Sequence, residues 1–314
     1  MNKAFLFIVI LTLGKMSFAQ IPPGYYNTAE NLSGEPLRTA LYNIINGHSV
    51  KDYTTLWGYF QTTDNNGGIV WDMYTDNPSG STTYTYNFGS GQCGNYTSEG
   101  DCFNREHSFP KSWFNDALPM YSDLFHLYPT DGWVNGKRGN YPYGEVNSPT
   151  YTSSNGSKLG ANVYPGYSGT VFEPIDAYKG DFARTYFYMV TRYKNVSSTW
   201  TSDMLTGDNL SEWAKTMLIS WDALDPVSQK EIDRNNAVHT IQGNRNPFID
   251  RPSWIDWIWG PTASVPDMEN PQLRMYSAKG LLHINNVSSK EVSLNVLNLL
   301  GSTVKEISIQ QGES

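Results

Sequence analysis

Apolar residues fall at helical spacing in three places along the chain. Leu37, Leu41, Ile44 and Ile45 share one face, with Ser33 as a cap candidate and Pro36 in the first turn, so an amphipathic helix opens the folded region. Ala183, Tyr186, Phe187 and Val190 repeat at i, i+3, i+4 and i+7, and Trp213, Met217, Trp221 and Leu224 do much the same. Two core-facing helices are predicted there. Residues 68–74 and 82–88 are β-branched and aromatic runs bounded by Asn, Gly, Pro and Ser, and read as strands joined by a turn over 76–80. Residues 140–172 are rich in Tyr, Ser, Gly and Asn with little periodicity, and read as a long surface loop.

The pattern changes after Gly260. Residues 261–271 form a Pro- and Thr-containing linker, and beyond it 281–284, 292–296 and 304–309 alternate apolar and polar, predicting a small β-module over 272–314. At the other end, a basic start, an apolar run from Ala4 to Leu13 and small residues ending at Ala19 describe a cleaved signal peptide over 1–19. That run is too short to span a bilayer, which needs roughly 20 apolar residues, and no later segment is apolar enough to do so. Export makes a disulfide the simplest use of the only two cysteines, Cys93 and Cys102, contributing roughly 2–3 kcal/mol by restricting the unfolded chain.

Composition fits this compartment. Of 314 residues, 14% are aromatic and only 17% charged, with 27 Gly, which describes a loop-rich extracellular protein with enough apolar residues for a core. The formal charge of −8 becomes −10 once Lys3 and Lys15 leave with the signal, which at first sight argues against a nucleic-acid binder. A Gly-x-Gly-x-x-Gly match at 89–94 lacks a following helical pattern and contains Cys93, so dinucleotide binding is set aside.

The richest chemistry lies in Asn104-Arg105-Glu106-His107-Ser108-Phe109-Pro110 and in the segment from Asp123 to Asn140. Thr130 or Asp131 caps a helix running to about Gly139, on which Asn135 and Arg138 sit at i and i+3 and share a face. Two glycines in that short helix are a locally poor choice, easier to understand where something approaches the backbone. Glu106 and His107, adjacent on a strand, point to opposite faces, so they flank one site only across a distorted strand or in separate roles. A hard divalent cation would find two oxygen donors in Glu106 and Asn135, His107 is a natural general base, and Arg138 has the fork to bind a phosphate oxygen. The same residues also fit bland roles, the Glu-His pair as hydrogen-bonded structure and Asn-Gly as a turn.

These two segments, together with Phe172-Glu173-Pro174, Lys179-Gly180-Asp181-Phe182-Ala183-Arg184-Thr185-Tyr186 and Gln242-Gly243-Asn244-Arg245-Asn246-Pro247-Phe248, resemble in their order the motifs of the bacterial endonuclease I family. The resemblance covers roughly residues 35 to 260 and implies an exported, sequence-nonspecific nuclease. The fold class it implies is α+β: a ββα-metal (His-Me finger) domain of mixed helices, short antiparallel strands and long loops, over residues 20–260. It implies His107 as general base, Glu106 and Asn135 as ligands of one Mg²⁺ or Ca²⁺, and the Cys93–Cys102 bridge as a brace upstream of the site. Arg105, Lys137, Asn140 and Arg184 are the expected substrate contacts. Arg138 and Arg184 are candidates for the transition-state cation, although Arg184 also suits tying its helix to the domain. Where some members carry His-Asn after Asp-Leu, this chain has Phe125-His126, so His126 is expected to be structural. The tail resembles a shortened sorting domain of the type IX secretion machinery.

The expected reaction is hydrolysis of DNA, with RNA left open, by a monomer that leaves 5′-phosphate ends. Residues 103–145 carry four basic and five acidic side chains, so the site region is nearly neutral and turns positive only with a bound metal. The rival reading, prompted by the Tyr and Trp content, is a secreted carbohydrate-binding or glycan-degrading protein, with exposed aromatics and facing carboxylates such as Asp222 and Asp225. A third is an exported structural protein that has lost nuclease function.

Overall fold

Helix α1 (Gly34–Ile45) forms where the periodicity places it, with Ser33 at its N-cap and Leu37, Leu41 and Ile45 buried. It belongs to a computed structural model that describes residues 21–260 with their side chains and, beyond them, the backbone of four strands. The expected signal peptide and linker lie outside the described residues. Contacts divide the chain into two units, one ending at Gly260 and one beginning at Pro261.

In the first unit α2 (Leu56–Thr63) leads into a minimal ladder of β1 (Asn65–Asn66) and β2 (Ile69–Val70). The two longer strands expected at 68–74 and 82–88 do not form. Only a bridge between Ile69 and Asn87 and a bond from Val70 N to the Tyr86 carbonyl join those segments. The cause is local: Asp72 Oδ1 accepts from Tyr74 N, and the Asp72 carbonyl accepts from Thr75 N and Asp76 N, so the chain turns instead of extending.

Strands β3 (Phe103–His107) and β4 (Leu127–Asp131) pair antiparallel, from Phe103 opposite Asp131 to His107 opposite Leu127. Helix α3 (Gly132–Arg138) follows without a connecting residue, completing a ββα unit. Asp131 caps it, Oδ1 accepting from Val134 N at 2.8 Å, while Oδ2 accepts from the hydroxyls of Tyr84 and Tyr86 and from Gly100 N.

Residues 140–172 are not the expected loop. They hold an antiparallel sheet of β5 (Val146–Thr152), β6 (Lys158–Asn162) and β7 (Thr170–Glu173) in that order. Register shifts on either side of Pro149 break the alternation, and most of β5 faces solvent, so no period-2 signal reaches the sequence. Helix α4 (Lys179–Arg192) is buried along its whole length. A short hairpin of β8 (Leu205–Thr206) and β9 (Asn209–Leu210) precedes α5 (Glu212–Leu224), which buries Trp213, Met217 and Trp221 but leaves Leu224 exposed, against expectation.

Helix α6 (Gln229–Gln242) gave no apolar period because much of its buried face is charged. Lys230 pairs with Asp181 at 2.6 Å, Arg234 with Asp64 at 2.8 Å, and Glu231 with Arg184 at 2.6 Å. A capping box of Ser228 and Glu231 starts it, and two short helices, α7 (Pro247–Asp250) and α8 (Trp254–Trp259), close the unit against an aromatic-rich core.

The second unit contains two antiparallel hairpins, β10 (Leu273–Ala278) with β11 (Leu281–Asn286) and β12 (Val292–Leu297) with β13 (Thr303–Ile309). Three of these strands overlap those expected, and β10 is additional.

Candidate active site

The end of β3 and the exposed side of α3 border one pocket of about 170 Å³, lined by Arg105, Glu106, His107, Pro110, Lys111, Asn135, Arg138, Gly139 and Asn140. Glu106 and His107, adjacent on β3, both line this pocket. Glu106 is 2% exposed; its Oε1 accepts from the Tyr74 hydroxyl at 2.9 Å and lies 3.2 Å from Arg138 Nη1. Its Oε2 has no partner among the described residues. Burial pushes the Glu106 carboxyl up, against the downward pull of Arg138 and Tyr74.

His107 Nε2 lies 3.0 Å from the Tyr121 carbonyl oxygen. A carbonyl only accepts, so Nε2 carries the hydrogen and Nδ1 keeps its lone pair. The ring stacks against Tyr121 and Tyr53 at centroid distances of 5.2 and 5.7 Å. Burial pushes the imidazole well below its ordinary range, and His126, Lys111 and Arg105 push the same way against the Tyr121 carbonyl.

Asn135 donates Nδ2–H to Asn104 Oδ1 at 2.7 Å, which leaves its own amide oxygen available. With Glu106 Oε2 this gives one carboxylate and one amide oxygen bordering the same pocket. Such a pair fits a hard cation that retains several waters. Among the described residues no group of three or more His, Cys, Asp or Glu is placed to hold a metal.

Two expected contacts find other employment. Arg138 reaches the pocket wall but is 1% exposed, its Nη1 held by Glu106 and the His107 carbonyl and its Nη2 by the Ser108 carbonyl and the Tyr186 hydroxyl. Burial lowers its pKa, but Glu106 and nearby tyrosines outweigh that and raise it. A direct grip on phosphate would require it to leave these partners. Arg184 is fully buried, its Nε and Nη1 each 2.6 Å from Glu231 and Asp222, and it does not line the pocket. It ties α4 to α5 and α6, and the structure does not bring this expected substrate contact to the pocket. Lys137 also lies off the pocket lining, 4.5 Å above the Trp133 ring. His126, expected to be structural, is buried, and its Nε2 donates to the Met120 carbonyl at 2.7 Å.

The Cys93–Cys102 disulfide is present, with Cα atoms 5.7 Å apart. Its loop carries Tyr96, which explains the two glycines of α3. A Cβ on Gly132 or Gly136 would come within 2.7 Å of the Tyr96 side chain. What approaches the helix backbone is the protein's own tyrosine, not a ligand.

A family model described as Endonuclease I matches residues 33–253. The chain belongs to the endonuclease I family. The chain is 34% identical to the extracellular ribonuclease of Bacillus subtilis (strain 168) over 245 residues, covering 75% of this chain and 78% of that one. It is 31% identical to Endonuclease-1 of Buchnera aphidicola subsp. Acyrthosiphon pisum (strain APS), over 41% of this chain and 44% of that protein. It is 28% identical to a periplasmic deoxyribonuclease of Aeromonas hydrophila, over 42% and 48%. The chain is a phosphodiester hydrolase, and its family in general depends on a divalent metal. The glycan reading loses its support. Most large aromatics are buried, Asp222 is bound to Arg184, and Asp225 accepts from Gly180 N.

Three positioning groups escaped sequence reasoning. Asn104 stood inside a quoted motif and could have been found; Tyr74 lies outside every motif; the Tyr121 carbonyl has no side-chain signature at all.

Proposed function

We propose that this protein is a secreted endonuclease that hydrolyses DNA, and RNA as well, without sequence preference. One observation carries the site assignment: Glu106, His107 and Asn135, from β3 and α3, border the same pocket with Glu106 Oε2, His107 Nδ1 and Asn135 Oδ1 unengaged by protein. His107 Nδ1 takes the proton of a water aligned with the scissile phosphorus, and the Tyr121 carbonyl holds the imidazole in the tautomer that permits this. Glu106 and Asn135 hold one divalent ion, Mg²⁺ or Ca²⁺, which when bound supplies positive charge to the phosphate and the departing 3′ oxygen. Arg138 fixes the Glu106 carboxyl and offsets its charge. Arg105, Lys111 and Asn140 line the approach and orient the phosphate backbone. The product ends are 5′-phosphates.

A relative named for ribonuclease, matched over 78% of its length, and relatives named for deoxyribonuclease, matched over about half of theirs, support both substrates, and their extracellular and periplasmic descriptions support secretion. No helix among the described residues is long and apolar enough to cross a membrane. We further propose that the protein acts as a monomer, that residues 1–19 are a cleaved signal, and that the segment beyond the 261–271 linker addresses the chain to the type IX machinery.

The deciding experiment incubates the protein with plasmid DNA and with structured RNA, with Mg²⁺, with Ca²⁺ and with EDTA. Metal-dependent loss of both substrates, abolished by EDTA and by His107→Ala, is the expected result. Cleavage that persists in EDTA, or in His107→Ala, overturns the site assignment.

A further inference from the structure

Arg105 borders the catalytic pocket on one side and a second, larger pocket of about 440 Å³ on the other. We infer that this second pocket is a subsite for one unpaired nucleobase of the substrate strand; the inference rests on the nuclease reading of the neighbouring site.

The wall chemistry carries it. Trp57 supplies aromatic surface, and the Arg105 guanidinium lies 4.7 Å over its ring and 3.7 Å over Tyr53, which packs on Tyr121 at 4.3 Å and backs the cation. Arg105 Nη1 donates to the Tyr53 carbonyl at 2.6 Å, which helps hold the cation in place. Arg105 is also the one charged residue lining the pocket, so nothing there repels a phosphodiester strand. Aromatic and guanidinium planes are the surfaces on which unstacked bases settle, and a base still paired in a duplex offers them only its edge.

Polar groups complete the pocket. Asn104 Oδ1 is engaged by Asn135, while the Asn104 amide hydrogens and the Gln92 side chain have no partner among the described residues. A few free amides beside an apolar wall match the edge of a base ring without selecting one base. The wall is also fixed in position. Cys93 N donates to the Phe103 carbonyl and Phe103 N to the Gly91 carbonyl, which holds the segment carrying Gln92 against β3, and the Cys93–Cys102 bridge closes it. Asn104 thus touches both functions: one end of its amide orients Asn135 and the other faces the base pocket.

The test uses single-stranded oligonucleotides with one phosphodiester in a phosphorothioate backbone, with abasic sites scanned one position at a time on either side of the cut. Wild type, Trp57→Leu and Gln92→Ala are assayed with Mg²⁺, and kcat and KM are read separately. Bis(4-nitrophenyl) phosphate, which has no base, serves as the second substrate.

For wild type, removing the base at one position is expected to raise KM roughly 5- to 100-fold. Trp57→Leu raises KM similarly on the intact oligonucleotide, and the two losses do not add. Its effect on the small ester is several-fold smaller. Gln92→Ala, altered only at an exposed side chain, gives the same position-specific loss at roughly 2- to 10-fold, and decides the matter should Trp57→Leu not fold. The inference is overturned by a flat abasic scan, by additive losses, or by parallel losses on both substrates. Activity surviving in His107→Ala would instead overturn the nuclease site itself, so the two failures are distinct.

Discussion

His107 gives its Nε2 hydrogen to the carbonyl oxygen of Tyr121 at 3.0 Å, while the Tyr121 ring stacks on the same imidazole. One residue thereby sets both the tautomer and the plane of the proposed base. His107→Ala should lower turnover on plasmid DNA by about 10²- to 10⁴-fold, the usual worth of a positioned general base, with an unchanged circular dichroism spectrum. Wild-type nicking by a folded His107→Ala would show that the water is activated elsewhere.

The proposed metal position is held by residues outside the donor pair. Tyr74 fixes Glu106 Oε1, and Asn104 fixes the Asn135 amide. Tyr74→Phe and Asn104→Ala should each weaken binding of Mg²⁺ or Ca²⁺ by about 10- to 100-fold, the common cost of losing a group that orients a ligand. Isothermal titration with the metal alone checks this independently of catalysis. Affinity equal to wild type in both variants would place the ion away from Glu106 and Asn135.

How far the sequence reached follows from these residues. Glu106, His107 and Asn135 stood out as candidates in two motif segments, the second containing the cap Asp131, while the ββα frame came from the family resemblance. The groups that hold them were less so, since a backbone carbonyl, a lone tyrosine and an asparagine carry no periodic signal. Helix α6 was invisible for a related reason: Lys230, Glu231 and Arg234 are buried through ion pairs, so its inward face reads as a solvated one. The charged partners Asp64, Asp181 and Arg184 are scattered over 120 positions of the chain, and no local pattern links them.

That burial predicts what Arg184 does. Removing it strands Glu231 and leaves Asp222 without its cation. Arg184→Ala should cost about 3–5 kcal/mol, read as a lower urea midpoint, because breaking one side of a buried pair leaves an uncompensated charge. Measured below the new unfolding transition, KM for nucleic acid should stay near the wild-type value. A stable variant with a much raised KM would restore Arg184 to the substrate interface.

Tyr96 gives a test of how the disulfide loop supports α3. Gly136→Ala brings a methyl within 2.7 Å of the Tyr96 hydroxyl, and Gly132→Ala brings one equally close to its ring. Each should destabilise by about 1–3 kcal/mol through overpacking, despite the better helix propensity of alanine. In the double variant with Tyr96→Ala the Gly136→Ala penalty should shrink or reverse sign. An unchanged penalty would mean that the crowding lies elsewhere.

Acid stability should depend on Asp123. Its carboxylate is fully buried, Oδ2 accepting from the hydroxyls of Tyr188 and Tyr193 and Oδ1 from Phe125 N and Gln242 Nε2. Burial pushes its pKa up, but His48, His126 and these donors outweigh it and hold the group at about 2, below the ordinary 3.8. A depressed carboxyl stabilises the fold at pH values above its unfolded pKa and loses that contribution as pH falls toward the folded one. The shift corresponds to about 2 kcal/mol, lost between about pH 5 and pH 2. Asp123→Asn should be less stable than wild type at neutral pH, and its urea midpoint should fall less steeply across that window. Parallel slopes for the two proteins would assign the acid transition to other carboxylates.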